Sequence, residues 1–590
     1  MHDFIKRIEE VIPLNAELLR NNNFFELYPY DGGGAYIHNQ IVETINDAEI
    51  ANKIINQNIL AEWGGLADLD FTKFERWRSI EQSCWLTRFY FAASLSRHCW
   101  KTGDSQISKL IEKIILDFIR KYPSPKGIEQ IERHLNRISN IRKEYNRRTF
   151  EENLRDDTEV PYMWYDFQPA SRFLHILYCL YFLKDIGEFS DSQLHEICQS
   201  LYEHAELIWI EESNFLKLQK SSNHQSLRGL ILLYAALLFK NYGKWNEFFE
   251  MGSKICDFHI ENDFCDDGTL AENSPSYHCF ETWHMRDAEL LLRKLCPEFA
   301  EKFREKLAKA VSFIEKIKQP DGCTPVINDG YALYLDPFLK SLKGYKCSDK
   351  FPKAVLFKDA KIAVYKDDKS YLLFDASKFT GEQSHYHSGK NAVSYWFNNK
   401  PFFIDSGCCN YDDNLFADWY KCPQAHSSLL INGQGDGKAI GVYNWKNYSS
   451  ADCHDWQENE NNYTILSQLT SNMPEWKNVT WGRELSIWSD CLVITDMIEK
   501  ADGKELCFIF NLHPDVKVES SNHYYLLDNE KTRLRLDFDI YNGSESGIIF
   551  NHGRCFVDFG HRQNIQILIN VKAKGYFKMK TTFCNREQNN

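Results

Sequence analysis

The chain has 590 residues, a formal net charge of -14 at pH 7, 43% hydrophobic residues and 26% charged residues. A chain of this length exceeds what one hydrophobic core usually serves, so we expect at least two domains. The composition is typical of a soluble globular protein, and the acidic balance argues against a nucleic-acid partner because phosphate binding needs a concentrated basic surface.

The first residues, MHDFIKRIEEVIPLN, lack the basic segment and apolar core of a secretory signal. The longest uninterrupted apolar run, Leu230 to Phe239, is too short to cross a bilayer, so we expect no membrane span. For the sequence as it stands we expect a cytoplasmic location, and a periplasmic or secreted one if a signal has been removed. The 18 cysteines form no CxxC pair, which predicts scattered free thiols in a reducing compartment.

Residues 1–75 are turn-rich, and we interpret them as an N-terminal extension that packs on the next domain. From about residue 78 to Lys318, apolar residues recur at three- and four-residue intervals, the amphipathic helix pattern. This series predicts an all-α domain over 76–345 built from helical hairpins. Within it, the basic segment Ile131 to Arg148 is typical of a solvated helix face, with contact to an acidic ligand as the alternative.

The helical pattern ends at QPDGCTPVINDG, where proline and glycine interrupt the chain. Beyond it the apolar residues alternate with period two, as in AVLFKDAKIAVYKDDKSYLLFDAS. Residues 346–590 are therefore predicted to form a large antiparallel β domain of two packed sheets.

Two polar clusters lie in the helical half. In SSNHQSL, the serines are candidate N-caps, so Asn223 and His224 lie at a helix N-terminus, where bound anions are favoured. The plain alternative is that Asn223 is another cap. In DDGTLAENSPSYH, Tyr277 and His278 follow a turn and precede a helix. Tyrosine and histidine are common proton carriers, although at such positions they more often serve packing.

A third cluster lies in the β domain, in the stretch Gly381 to Gly407 and just after it. His385 and His387 are one residue apart, so on a strand they point to the same side. Asp405 follows the next apolar run, and His426 lies in QAHSSLLING. Imidazole and carboxylate are normal zinc ligands, which makes this set a candidate zinc site. The alternative is a group of hydrogen-bonded histidines at a domain interface.

Taken together, these motifs resemble those of the heparinase II/III family of polysaccharide lyases and the related alginate and oligoalginate lyases. The resemblance runs from about residue 80 to the C-terminal region and rests on five segments in the family's order: SSNHQSL, DDGTLAENSPSYH, QPDGCTPVINDG, the stretch from HYH to FIDSG, and QAHSSLLINGQ. It implies an α+β multidomain fold, with an N-terminal incomplete (α/α) toroid followed by a C-terminal antiparallel β-sandwich. An acidic polysaccharide or oligosaccharide would bind in the cleft between them.

The resemblance also implies β-elimination at a uronic acid, which leaves an unsaturated uronate end. By position in the motifs, Asn223 and His224 would bind and neutralise the uronate carboxylate. Tyr277 would be the base or acid, with His278 beside it. His385 would be the histidine that the β domain contributes to the cleft. For the opposite C5 epimer the base would be His224 or His385, and the sequence leaves this choice open.

His387, Asp405 and His426 are implied as ligands of a structural Zn²⁺ ion. This sequence departs from the family where members show a compact His-x-His-x-Asp run. Gly389-Lys390 stands in that interval and Asn391 takes the place of the Asp, for which a β-bulge is one account.

Two other functions remain open at this stage. One is a non-catalytic glycan-binding or polysaccharide-assembly protein on the same scaffold, and the other is a hydrolase on a similar toroid. No carboxylate pair suited to glycoside hydrolysis stands out in the helical half. The polysaccharide, its sulfation and linkage, and endo or exo cleavage are not determined. The oligomeric state is also open, with a homodimer as one option.

Overall fold

The protein is described by a computed structural model, which covers residues 2–12, 47–58, 60–72, 85–145, 162–345, 351–377, 385–408, 419–440, 444–521, 524–557 and 560–585. Helices fill the first part of the chain and strands fill the second. The last helical turn of the first part ends at Tyr345, and the first strand begins at Ala354.

Twelve α-helices lie in the described ranges of the helical half. They are α1 (His2–Val11), α2 (Asp47–Ile55), α3 (Tyr90–Thr102), α4 (Ser105–Lys121), α5 (Gly127–Tyr145), α6 (Phe167–Leu183), α7 (Asp191–Asn214), α8 (Asn223–Leu238), α9 (Trp245–Asn262), α10 (Pro275–Leu295), α11 (Pro297–Ile317) and α12 (Asp336–Ser341). The basic segment predicted as helix falls in α5 as far as residue 145, and its last residues lie outside the described ranges.

The centre of the helical domain is formed by α6 and α8, which are buried along nearly their whole length. Both sequences are apolar on all sides, as expected for helices surrounded by other helices. The described part of residues 1–75 shares the same core, because Phe4, Ile8 and Ala51 pack within it. Among the described helices, none combines the length and apolarity needed to cross a membrane.

Eighteen strands lie in the described ranges of the second half. They are β1 (Ala354–Phe357), β2 (Ile362–Lys366), β3 (Ser370–Asp375), β4 (Ala392–Phe397), β5 (Lys400–Phe403), β6 (Leu429–Ile431), β7 (Lys438–Ile440), β8 (Asn444–Asn447), β9 (Ser449–Cys453), β10 (Gln457–Glu458), β11 (Tyr463–Ser471), β12 (Thr480–Ile487), β13 (Cys491–Glu499), β14 (Glu505–Asn511), β15 (Lys517–Ser520), β16 (Tyr525–Asn529), β17 (Thr532–Val557) and β18 (Gly560–Cys584).

Two antiparallel sheets make up the β-sandwich. The first contains five strands in the order β1-β2-β3-β4-β5, and the second contains eleven, with β10-β11-β12-β13-β18-β17-β16-β15 as its main path. Side chains of both sheets, such as Phe374 and Phe510, share one core. The predicted toroid followed by a β-sandwich is therefore confirmed.

The first sheet is buried on both faces, which explains why β3 and β4 contain no exposed residue. Phe374 and its same-face neighbours pack on the second sheet. Tyr371 and Leu373 point the other way and pack with Phe313 of α11. This second contact fixes the sandwich against the helical domain and determines which loops meet between them.

The prediction of free thiols throughout is wrong at one pair. Cys491 and Cys584 occupy opposite positions on β13 and β18 and form a disulfide. Cys179 and Cys256, both buried in the helical core, are free thiols.

Candidate active site

The start of α8 carries the first two predicted site residues. Ser222 caps the helix, with its Oγ accepting from Gln225 N at 3.4 Å, so Asn223 and His224 are the first helical residues, as predicted. His224 Nδ1 lies 2.7 Å from Asp166 Oδ2, and the His224 side chain is 32% exposed. An imidazole that is held by a carboxylate and is partly exposed is suited to contacting a ligand.

A buried ion cluster below the start of α8 holds Asp166 in place. Arg228 donates to the Asp166 backbone oxygen at 2.8 Å and to Glu211 Oε2 at 2.7 Å. Burial raises the pKa of Glu211 to about 7, although Arg228 acts in the opposite direction. The cluster thereby supports Asp166, and through it His224, from the core of the helical domain.

Tyr277 and His278 both lie in the first turn of α10, because the helix begins at Pro275 rather than after them. The Tyr277 ring stacks on the His385 ring of the β domain, with centroids 3.9 Å apart and planes 26° apart. This contact joins the helical and β domains at the predicted site.

His278 points away from that contact. Its Nδ1 accepts from Leu270 N and its Nε2 lies 3.1 Å from the Ala310 carbonyl oxygen, so both ring nitrogens serve the backbone. Burial lowers the pKa of His278 to about 4. The structure therefore does not bring His278 together with the other predicted catalytic residues, and its contacts are those of a neutral core histidine.

One carboxylate, Asp329, binds both histidines of the HYH motif. Its Oδ2 lies 2.8 Å from His385 Nδ1, and its Oδ1 lies 2.6 Å from His387 Nε2. Burial alone would raise the pKa of Asp329, but the hydrogen bonds from the two histidines outweigh it and hold the pKa well below its ordinary value. Because a carboxylate only accepts, His385 carries its proton on Nδ1 and presents Nε2 toward the helical domain.

Glu272 faces that Nε2 from the helical side. Its Oε2 lies 3.3 Å from His385 Nε2 and 3.5 Å from Asn223 Nδ2. The Glu272 side chain is 2% exposed. Asn223 and His385, which are far apart in the sequence, thus meet at one buried carboxyl group, and Tyr277 joins them through its ring contact with His385.

The HYH motif lies on a turn, which corrects the prediction that its histidines share a strand. Residues 385–391 precede β4, and three of them wrap around the Asp436 carboxylate. Ser388 Oγ and Gly389 N each donate to Asp436 Oδ1 at 2.6 Å. Gly389 has φ +103°, and a Cβ there would lie 2.8 Å from His426. The unusual GKN segment is therefore a tight turn that allows His426 to approach, not a β-bulge.

Asn328 ties this turn to the helical domain. Its Oδ1 accepts from Lys390 Nζ at 2.7 Å and from His387 N at 3.1 Å, while its Nδ2 donates to Asn273 O at 2.7 Å. Lys390 also donates to Asp375 Oδ2 at 2.8 Å and is 1% exposed. A buried network of this kind fixes the relative position of the loops that carry Glu272 and His385.

The three predicted zinc ligands are neighbours. Asp405 Oδ2 lies 2.9 Å from His426 Nδ1, and the His387 and His426 ring centroids are 5.6 Å apart. However, His387 Nε2 contacts Asp329 and His426 Nε2 lies 3.0 Å from the Tyr420 carbonyl oxygen. Across the described ranges, no group of three or more histidines, cysteines or acids is arranged to hold a metal. Imidazole and carboxylate groups are suitable zinc ligands, but in this structure the three side chains are arranged as a hydrogen-bonded cluster.

Family models match nearly the whole chain. The model described as Heparinase II/III N-terminus matches residues 18–358, and the one described as Heparinase II/III-like, C-terminal matches residues 350–582. The chain belongs to the heparinase II/III family.

The chain is only distantly similar in sequence to a curated heparin-sulfate lyase. The chain is 23% identical over 328 residues to a heparin-sulfate lyase of Bacteroides thetaiotaomicron, an alignment that covers 47% of this chain and 45% of that protein. The chain thus spans less than half the length of this curated relative.

Two solved structures share the fold. A heparinase III crystal structure superposes with a TM-score of 0.71 and 14% identity, covering 98% of this chain and 91% of that one. A mutant heparan sulfate lyase from Pedobacter heparinus gives a TM-score of 0.60 and 13% identity, covering 88% and 79%. At these identities the likeness establishes the fold alone.

Sequence reasoning missed Asp329 and Glu272. Both lie inside segments that carried the resemblance, QPDGCTPVINDG and DDGTLAENSPSYH. Asp329 follows Asn328 and Glu272 precedes Asn273, and both asparagines have a positive φ. An acidic residue beside a turn-forming asparagine was the available signal, but it is common in surface loops as well.

Proposed function

We propose that this chain is a polysaccharide lyase that cleaves a uronic-acid-containing acidic polysaccharide or oligosaccharide by β-elimination. The observation that carries the proposal is the stacking of Tyr277 on His385, together with the Glu272 carboxyl group that contacts both His385 and Asn223. Tyrosine, histidine and a neutral amide are the groups that this elimination needs, and the family membership of the chain supports the same reaction.

The electrostatic task of the reaction falls to Asn223 and His224. The C5 proton of a uronate is scarcely acidic, because its removal places further negative charge beside a carboxylate. Asn223 strengthens its hydrogen bond as this charge develops and so lowers the barrier, whereas His224 binds the carboxylate that the substrate already carries. Both residues open α8, where backbone N–H groups and the helix dipole favour an anion.

The proton transfers fall to Tyr277 and His385. In the proposed step, the Tyr277 phenolate takes the C5 proton, the bond from C4 to the leaving oxygen breaks, and a double bond forms between C4 and C5. The Tyr277 hydroxyl then returns the proton to the leaving oxygen. An unperturbed tyrosine ionises near pH 10, so its phenolate needs a positively charged neighbour, and the stacked His385 supplies that charge when its imidazole is protonated on both nitrogens.

The choice of base follows the C5 configuration of the substrate. Tyr277 serves both transfers when the C5 proton and the leaving oxygen lie on the same face of the sugar. For the opposite epimer, a histidine takes the proton. His385 is the stronger candidate, because Asp329 fixes its proton on Nδ1 and leaves Nε2 able to accept.

We further propose that His387, Asp405 and His426 bind a structural zinc ion. Two imidazoles and a carboxylate are ordinary zinc donors, and the three side chains already lie close together. Bound zinc would crosslink the turn before β4 to the loops that follow β5. No proton transfer above depends on it.

The lyase proposal is tested by incubating the full chain with heparan sulfate, heparin, hyaluronan, chondroitin, alginate and bacterial capsular polymers. We expect the ultraviolet absorbance of an unsaturated uronate with at least one of them. Tyr277→Phe should abolish that signal, whereas the matched control Tyr576→Phe, at a position 47% exposed on β18, should retain it.

Each of the other outcomes would support a different role for Tyr277 or a different function for the chain. Undiminished turnover by Tyr277→Phe would remove Tyr277 from the reaction. Glycan binding without a new double bond on any uronate would favour a non-catalytic glycan-binding protein. Products that have gained water and carry no unsaturation would identify a hydrolase.

A further inference from the structure

Glu272 is held rigidly in the turn between α9 and α10. Ala271 N donates to Asp263 O at 2.9 Å and Asn273 N donates to Leu270 O at 3.0 Å, so the backbone on both sides of Glu272 is fixed. Asn273 has a φ of 55°, and its carbonyl oxygen accepts from Asn328. The turn therefore directs the Glu272 carboxyl group into the site rather than leaving it free to swing into solvent.

The surroundings of Glu272 are acidic. Glu281 on α10, Asp263 after α9 and Asp329 across the domain junction all act on it, and His385 is the one titratable base that faces it among the described residues. Burial, followed by Glu281 and Asp263, raises the pKa of Glu272 well above its ordinary value. In the described ranges, no lysine or arginine nitrogen lies within ion-pair distance of its carboxyl group.

The neighbouring carboxylates differ from Glu272 because each has its own close partner. Those partners are His284 and Ser226 for Glu281, His259 and Ser221 N for Asp263, and the two HYH histidines for Asp329. Among the described residues, by contrast, Glu272 has only the long contacts of 3.3 Å and 3.5 Å, to His385 and Asn223. Contacts of this length are weak hydrogen bonds, so the protein binds this carboxyl group only weakly.

We propose that Glu272 acts as a neutral carboxylic acid that donates a hydrogen bond to the substrate's uronate carboxylate, together with Asn223. The proposal rests on the lyase function proposed above. Glu272 touches the two groups between which the reacting sugar has to lie, Asn223 and His385. An ionised Glu272 would repel a second carboxylate at that place, whereas its protonated form supplies a donor.

The proposal gives the carboxylate a second side-chain donor that the sequence motifs did not assign. Asn223 supplies an amide N–H and Glu272 an O–H, and a carboxylate has acceptor sites for both. As negative charge develops during proton removal, an O–H donor strengthens its hydrogen bond without any change in net charge. Substrates whose uronate carboxyl is esterified should lose this advantage.

Substitutions at Glu272 test the donor role, using the polymer that the wild-type chain cleaves. Glu272→Ala should lower kcat about 100-fold, the order of effect expected for loss of one preorganised donor. Glu272→Gln keeps a neutral donor of similar shape and should be at least about tenfold more active than Glu272→Ala. The matched control is Glu247→Gln, at an exposed position on α9. Circular dichroism of each variant checks that it is folded.

The pH profile separates the donor from a merely structural residue. The rate of the wild type should fall as the pH rises through the raised pKa of Glu272, because the donor is lost on ionisation. Glu272→Gln should lack that alkaline limb. If Glu272→Gln is as inactive as Glu272→Ala, or if Glu272→Ala keeps the wild-type kcat, the proposal is overturned.

A spectroscopic measurement on the wild type and a folded Glu272→Gln decides the protonation state independently of activity. The infrared difference spectrum between the wild type and Glu272→Gln at neutral pH should contain the C=O band of a protonated carboxylic acid, and a carboxylate band in its place would overturn the proposal. If the wild-type chain cleaves no polymer in the panel, both the proposed lyase function and the donor role of Glu272 are wrong. An active wild type with an unaffected Glu272→Ala would remove the donor role alone.

Discussion

Asp329 Oδ2 lies 2.8 Å from His385 Nδ1, and this hydrogen bond fixes which nitrogen of the β-domain histidine faces the helical domain. The other oxygen of the same carboxylate binds His387 at 2.6 Å. The two HYH histidines are thus connected through Asp329 and not through a shared strand. A displacement of His387 would therefore act through Asp329 on His385, the proposed catalytic histidine.

Replacing Asp329 with asparagine should disable the site while leaving the chain folded. An asparagine amide has one acceptor oxygen, so one of the two histidines would face an NH₂ group and have to change tautomer or orientation. We expect kcat on the cleaved polymer to fall on the order of 10³-fold, with a smaller change in KM. Asp368→Asn, at an exposed position between β2 and β3, serves as the control. A variant with normal kcat would show that His385 does not depend on Asp329.

His224 should act on substrate binding more than on the chemical step. It is partly exposed, it is held by Asp166 at 2.7 Å, and it lies at the anion-binding end of α8. His224→Ala should raise KM about tenfold, the order expected for loss of one charge-assisted hydrogen bond, with a lesser effect on kcat. His195→Ala, at an exposed position on α7, should alter neither constant. An unchanged KM for His224→Ala would exclude this role.

His278 should affect stability in acid rather than catalysis. Its pKa is lowered by burial from an unfolded value of 6.5 to about 4, so between these values the unfolded chain binds more protons than the folded one. The stability that depends on neutral His278 is present above pH 6.5 and is lost as the pH falls toward 4. The loss should amount to about 3 kcal/mol at the acid end, since one pKa unit corresponds to about 1.4 kcal/mol.

Urea unfolding of the wild type and His278→Gln at several pH values measures this contribution. Glutamine can still accept from Leu270 N and donate toward the Ala310 carbonyl, so the variant should fold and show a flatter pH dependence between 6.5 and 4. Its kcat at neutral pH should remain close to that of the wild type. A large loss of kcat in a folded His278→Gln would return His278 to the catalytic group.

The zinc proposal predicts a bound metal that chelation removes. Metal analysis of the purified chain should find about one zinc per chain, the number expected for a single site with three protein donors. Asp405→Ala should lose the zinc, and chelator treatment of the wild type should lower its Tm. Asp436→Ala provides a useful contrast, because Asp436 holds the GKN turn without being a proposed ligand. If the purified wild type contains no metal and chelation does not change its Tm, the zinc proposal is wrong and the three side chains form only a hydrogen-bonded cluster.

Local sequence patterns predicted much of the architecture. The change of apolar period after Lys318 separates the helical domain from the β-sandwich, because helices and strands expose one face at different intervals. The serine before Asn223 predicted the start of α8, since a cap depends only on residues within one turn. These features are decided by neighbours in the chain, which is why they can be read without a structure.

The tertiary structure alone decided how the site is connected. Asp329, Glu272 and Tyr277 reach His385 only because the first sheet docks on α11 and brings the loops of both domains together. Hydrogen bonds between residues far apart in the chain leave no periodic pattern in the sequence. For the same reason, the sequence identified the HYH histidines as important but assigned them to a strand, whereas their geometry is set by a buried aspartate from a distant loop.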